Sequence, residues 1–388
     1  MSESKKYQRI PYMVVFQEQA KYKDTYAGAM EFVALEAHLL KPANESKTVV
    51  IFMHPIGGGA YLPMVSSLAK KGFHVIYCNS RYRGVDSALI MEKVALDLGA
   101  CVRDAKERLG YEKVVLAGWS GGGSLSLFYQ SQAKKTTITH TPAGDVVNLV
   151  DANLIPADGM MLLAAHISRA GTLTEWMDAS ILDESDPTKR DPELDLYDSN
   201  NSNQAPYSPD FVERYRAAQI ARNRKITAWV KDKLQAFKND GLDNEEFAFV
   251  VHGTMADPRF LDVTLDPNDR PANWCYLGDP RVVNNGPVGL ARFCTLRSWL
   301  SQWSYDDSNA DGLACAEHIG VPTLVIGNTA DDACTPSHTH RLYEAVGVED
   351  KEMHEIKGAN HYYFGQPDKM EQAATLCADW LTQKGFSQ

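Results

Sequence analysis

The stretch VVLAGWSGGGSLSLF (residues 114–128) is an apolar run that stops on Ser120, passes three glycines and resumes as an apolar pattern of helical spacing. It sets the sequence Gly118-Trp119-Ser120-Gly121-Gly122, a Gly-x-Ser-x-Gly arrangement, between a predicted strand and a predicted helix. A strand that turns abruptly into a helix forces the corner residue into strained backbone geometry. The flanking glycines are needed because no side chain fits where the two elements approach. The serine hydroxyl is thereby exposed at the carboxyl end of the strand, beside the free N–H groups of a helix N-terminus, which favour developing negative charge. In isolation the pattern is more often an ordinary glycine-rich turn. Its strand-to-helix setting makes Ser120 a candidate nucleophile.

The sequence around this corner repeats the strand–helix alternation. MEFVALEAHLLKP (30–42), TVVIFMHP (48–55), FHVIYCNSRYRG (73–84) and GMMLLAAH (159–166) are rich in β-formers, and a helical spacing of apolar residues runs from 86 to 109. The pattern returns at VPTLVIGNTADD (321–332) and KEMHEIKGANH (351–361), with a closing helix at about 367–384. Near-continuous apolar strands alternating with helices predict an α/β fold, a mostly parallel central sheet covered on both faces. After His166 the rhythm breaks. Residues 184–210 are rich in Pro, Asp and Asn and predict a long loop, and 211–238 read as a helix. Residues 167–312 therefore form a predicted insertion, mainly helical, into a core domain made of 1–166 and 313–388. The aromatics of 270–305 suit either the insertion's own core or a substrate pocket.

Composition narrows the function. With 388 residues, 44% of them hydrophobic and 23% charged, the chain is of ordinary globular type. A formal net charge of -11 argues against a non-specific grip on nucleic acid or an anionic membrane surface. The N-terminal MSESKKYQRIPYMVVFQEQ has no apolar core of signal-peptide length, and no later stretch approaches the roughly 20 apolar residues of a membrane span. The seven scattered cysteines show no zinc-like spacing. Together these features predict a soluble, cytoplasmic protein whose partner is a small molecule.

A serine nucleophile needs a base and a group to orient that base. His361, in IKGANHYYFG, follows the last predicted strand, and the adjacent Asp331 and Asp332 follow the strand before it. The order Ser, Asp, His at successive strand ends selects these residues from turns that are otherwise unremarkable. The loop His54-Pro55-Ile56-Gly57-Gly58-Gly59 after an early strand offers backbone N–H groups that, with the N–H of Gly121, could hold an oxyanion. The loop lacks the ending and spacing of a phosphate-binding loop. His338 and His340, two apart at a helix start, point away from each other and make no metal pair. No cofactor is called for.

These motifs, in this order, resemble the α/β-hydrolase fold superfamily in its capped form. The resemblance covers about 28–166 and 313–384. It implies a triad of Ser120, Asp332 and His361, an oxyanion hole from Ile56 and Gly121, and a cap domain over the site. Where the family has His-Gly in the oxyanion loop, this chain has His54-Pro55, and proline carries no N–H, so the first donor is Ile56 or Gly57. Counting from Gly327 favours Asp331 as the acid; counting back four residues from Pro336 favours Asp332. The second count is preferred because proline pins the helix start. The expected activity is a serine hydrolase acting on a carboxylic ester, with lactones, thioesters and amides as neighbours. An acyltransferase with the same triad and a ligand-sensing protein are the alternatives.

Overall fold

In the computed structural model the described residues are 6–18, 22–23, 29–287 and 289–387. Ten strands run in the order β1 (Tyr7–Gln17), β2 (Phe32–Pro42), β3 (Thr48–Phe52), β4 (His74–Cys78), β5 (Lys113–Trp119), β6 (Gly159–Leu163), β7 (Ala248–Val250), β8 (Phe293–Thr295), β9 (Thr323–Asn328) and β10 (Lys351–Ile356). Eight of them form one sheet of order β1-β2-β4-β3-β5-β6-β9-β10. From β4 to β10 every pairing is parallel, while β2 runs antiparallel to both of its neighbours. Strands β3, β4 and β6 are buried along their whole length, which is why they read as unbroken apolar runs.

Helices close both faces. On one side α2 (Met91–Arg103) and α3 (Gly121–Lys134) lie on the sheet, and Leu98, Leu125 and Phe128 enter a core shared with Val49 and Leu116. On the other, α1 (Pro63–Lys70) and α11 (Pro367–Gln383) bury Val65, Leu68, Cys377 and Trp380 against Val50, Val115 and Ile326. Between β6 and β9 the chain carries α4 (Arg169–Trp176), α5 (Pro209–Asn239), α6 (Pro258–Leu261), α7 (Pro280–Val283), α8 (Leu296–Gln302) and α9 (Gly312–Ala316), with β7 and β8 paired as a separate two-stranded sheet. Helix α10 (Pro336–Ala345) joins β9 to β10. Residues 184–208 are loop, as their composition predicts. The segment has its own apolar cluster, which includes Trp176, Val230, Phe260, Trp299 and Trp303.

Three strands are not foreseen in the sequence: the short β7 and β8 of the insertion, and β1 of the main sheet. β1 lies at the sheet edge with Ile10, Met13 and Val15 exposed, so its apolar residues do not mark a buried run. The first five residues of the N-terminal stretch lie outside the described chain. No described helix is long and apolar enough to cross a membrane, and all seven cysteines are buried and free.

The junction of β5 and α3 is the tightest point of the fold. A Cβ on Gly118 would stand 2.4 Å from the Cα of Gly123, one on Gly122 would stand 2.5 Å from the carbonyl oxygen of Met53, and one on Gly123 would stand 2.3 Å from the Cβ of Ala165. These neighbours are backbone or a rigid methyl and cannot swing aside. Gly123→Ala is therefore expected to destabilise the chain by about 1–3 kcal/mol. Urea unfolding of the variant beside the wild type measures it, and an unchanged midpoint would contradict the packing described here.

Candidate active site

Ser120 sits at that junction with φ 53 and ψ -123, in a conformation that non-glycine residues rarely adopt. Its N–H lies 3.1 Å from the carbonyl oxygens of both Leu163 and Ala164, and its carbonyl accepts from the N–H of His166, also at 3.1 Å, so the exit of β6 wraps the corner and holds it. The hydroxyl opens onto a cavity of about 280 Å³ shared with His54, Ile56, His166, Trp176, Tyr276 and His361. Gly121 opens α3, and at that first helical position its N–H has no intrahelical partner.

His361 follows β10 and is buried. Its Nδ1 lies 2.9 Å and 3.0 Å from the two carboxylate oxygens of Asp331, which is wholly buried. This corrects the expectation of Asp332. Pro336 does open α10, but the residues between the acid and that proline take up the slack, not the strand exit. Asp331 Oδ1 accepts from the N–H groups of Ala333 (2.8 Å) and Cys334 (2.7 Å), and this turn fixes the side chain inward on His361. Asp332 accepts instead from the indole N–H of Trp274 at 3.1 Å.

The structure brings a second histidine to Ser120. His166 Nε2 is 2.9 Å from the Ser120 hydroxyl oxygen, and Cys334 Sγ lies 3.8 Å from the same atom. His166 is not among the residues singled out from the sequence: it stands at the carboxyl end of β6, and the register of β6 on β5, with Leu163 paired to Trp119, brings it to Ser120.

The buried histidines differ in charge because their neighbours differ. Desolvation lowers the pKa of His361, but the Asp331 carboxylate outweighs it by charge and hydrogen bond, and Asp332 adds to the effect, so the net shift is upward. His166 has no carboxylate. Burial, then the neighbouring His338, His361, His54 and Arg169, push it well below its ordinary value. Burial, with Arg169 and His361, pushes His54 down to about 3.

The loop after β3 is engaged within its own neighbourhood. The Ile56 N–H makes a long 3.3 Å bond to His54 Nδ1, and the Gly57 N–H donates to the His54 carbonyl at 2.8 Å. Gly58 donates to Asn79 and Gly59 to the Tyr77 hydroxyl. Ile56 reaches the cavity, yet its N–H is turned to His54, so it does not stand free as an oxyanion donor. Gly121 lies with the His54 ring close beside it, and its N–H has no backbone partner among the described residues.

His338 and His340 diverge, the first buried on Glu175 at 3.0 Å and the second exposed beside Glu355 at 3.2 Å. Asp331, Cys334 and His361 hold donor atoms within 4.8 Å of one another. The Asp331 oxygens are already engaged, however, and burial, reinforced by Asp331, keeps the Cys334 thiol well above its ordinary pKa and so protonated. The set fits a hydrogen-bonded dyad beside a hydroxyl better than a metal cradle. The aromatics of 270–305 divide: Trp299 and Trp303 stack on each other in the segment's own core, while Trp274 and Tyr276 line open space near His361.

The sequence model of the alpha/beta hydrolase family matches residues 50–373. No curated protein matches the chain. Among solved structures, the alpha/beta hydrolase GrgF from Penicillium sp. sh18 is 13% identical with a TM-score of 0.50, the alignment covering 97% of this chain and 99% of that one. DcsB, solved with its substrate analogue, is 12% identical with the same score and coverage. A monoacylglycerol lipase from Paleococcus ferrophilus is 17% identical with a TM-score of 0.45, covering 87% of this chain and 95% of that one. At these identities the likeness concerns the fold alone.

The partnership of Asp331 and His361 has a direct readout. In Asp331→Asn the His361 imidazole loses the charge that raises its pKa, so it is expected to titrate below the wild-type ring in an NMR pH series. An unchanged titration would mean that another group holds it.

Proposed function

The chain belongs to the alpha/beta hydrolase family, and from the arrangement at its Ser120 corner we propose that it is a serine hydrolase cleaving a carboxylic ester through an acyl-enzyme. The observation that carries this reading is the strained Ser120 at the end of β5, with a buried Asp331–His361 pair opening onto the same cavity. Lactones, thioesters and amides share the chemistry and remain within the proposal.

In this reading the Asp331 carboxylate accepts the Nδ1–H of His361, which leaves the Nε2 lone pair as the base. The Ser120 hydroxyl attacks the ester carbonyl and its proton passes to His361. The developing oxyanion is held by the Gly121 N–H at the head of α3, and by Ile56 once it gives up its long bond to His54. His361 returns the proton to the departing alcohol, and water, deprotonated by the same ring, releases the acid. The segment between β6 and β9 acts as a cap, supplying Trp176, Tyr276 and Leu290 to the cavity wall.

His166 supports the nucleophile from the other side. Held neutral, it has one N–H to place. With the proton on Nδ1, that buried N–H would have no partner among the described residues. With the proton on Nε2, the ring donates to the Ser120 oxygen and only a lone pair is left over. The second tautomer frees the hydroxyl hydrogen for His361 and offers a hydrogen bond to the oxygen as negative charge grows on it.

Ser120→Ala is expected to abolish both ester hydrolysis and labelling by a fluorophosphonate in a chain of unchanged circular dichroism; near wild-type turnover would end the serine-hydrolase reading. Asp331→Asn should lower kcat by roughly 10⁴-fold, as loss of the orienting carboxylate does in other triads, and Asp332→Asn by far less.

The acid limb of kcat/KM should lie above the ordinary histidine value of about 6.5. His361 must be unprotonated to act, and its pKa is raised, so activity falls as pH drops through that raised value.

For His166, the Leu variant should lose about 10-fold in kcat, the scale of one lost hydrogen bond to the serine oxygen. The Gln variant, which keeps an N–H near the same point, should recover much of it with the acid limb in place. Equal damage in both would assign His166 another role.

A further inference from the structure

A second, more open cleft of about 710 Å³ adjoins the Ser120 cavity and shares Tyr61, Tyr276, His361 and Tyr362 with it. Trp274 and Phe364 complete an aromatic wall, and among the described residues Asp332 is the one acidic side chain lining it and no lysine or arginine does. Tyr61 and Tyr362 meet edge to face at 5.9 Å, and Tyr362 meets the His361 ring at 4.6 Å, so the wall is continuous with the base.

Asp332 is the unusual member of this set. Asp97, Asp178 and Asp257, buried like it, each hold an arginine. Asp332 is 9% exposed, takes one hydrogen bond from Trp274, and no lysine or arginine pairs with it among the described residues. Burial and the neighbouring Asp331 push its carboxyl above the usual range, with His361 opposing them. A carboxylate so placed lacks compensation, and a cation arriving from solvent would supply it. Aromatic faces carry negative quadrupoles and favour the same charge.

We propose that this cleft binds an alkylated ammonium group carried on the alcohol half of the ester substrate, with Asp332 as counter-ion and the aromatic wall as its cage. The half of the substrate follows from position. The cleft begins at His361, and the base stands on the side of the departing alcohol because it returns the proton there. The alkylated form follows from the wall: rings receive methyl groups and a diffuse charge, whereas a bare ammonium asks for hydrogen-bond acceptors that the cleft supplies only at Asp332. The inference rests on the serine-hydrolase reading for its chemistry, while the binding itself is measurable without turnover.

Choline and its uncharged isostere 3,3-dimethylbutan-1-ol serve as probes, titrated into the 388-residue Ser120→Ala chain and followed by tryptophan fluorescence or calorimetry. Choline is expected to bind at least about tenfold more tightly, the low end of a desolvated cation–aromatic contact aided by a carboxylate. In Asp332→Asn the preference should shrink to within about twofold. Tyr61→Leu, at an exposed position, should reduce it severalfold and covers the case in which the Asp332 variant fails to fold. Equal affinity for the two probes, or a preference that survives both substitutions, would overturn the proposal. A companion assay compares wild-type kcat/KM on a choline ester and its 3,3-dimethylbutyl counterpart, where the cationic ester should lead by a similar factor. Failure of Ser120 to react with a fluorophosphonate would instead count against the hydrolase reading, and the binding comparison would still judge the cleft.

Discussion

The approach of α3 to β5 constrains everything else at this site. With Gly118 and Gly123 almost in backbone contact, the chain has room for one turn geometry, and Ser120 occupies it. The exit of β6 then has to bend around the same point, which brings His166 to the serine oxygen, and Ala165 sits where only a glycine can face it. The loop after β3 comes equally close, its Met53 carbonyl lying where a side chain on Gly122 would be. One steric condition thus places the hydroxyl, a neighbouring histidine and the loop after β3 relative to one another.

Within that frame, charge sorts three buried imidazoles into different tasks. His361 has a carboxylate at 2.9 Å, and the carboxylate overcomes desolvation. His166 and His54 have none, so burial and neighbouring groups keep them neutral. One ring is thus held toward its charged form and two are held neutral within the same site. The difference comes from the position of one aspartate.

The parts legible in the sequence were those set by backbone pattern. Ser120 and His361 follow from strand ends and glycines, and the parallel core from unbroken apolar runs. The choice between Asp331 and Asp332 was not legible, because it depends on a turn in which the carboxylate binds the N–H groups two and three residues on, and both residues could form such a turn. His166 was hidden for another reason: its role depends on the lateral register of β5 and β6, which no local pattern reports. β1 was missed because an edge strand with one face in solvent lacks the continuous apolar signature of its neighbours. The aromatics of 270–305 could not be divided in advance, since cores and pockets draw on the same residues.

The backbone of Ser120 has a consequence for the stability of the whole chain. A non-glycine residue held at φ 53 and ψ -123 costs on the order of 1–3 kcal/mol, a sizeable share of the net stability of a folded domain. Glycine would occupy the same corner with little of that penalty. With Ser120 as the proposed nucleophile, the more stable protein is the one without it, and activity and thermal endurance would pull this position in opposite directions. Ser120→Gly is thus the substitution that would exchange the proposed chemistry for thermal endurance.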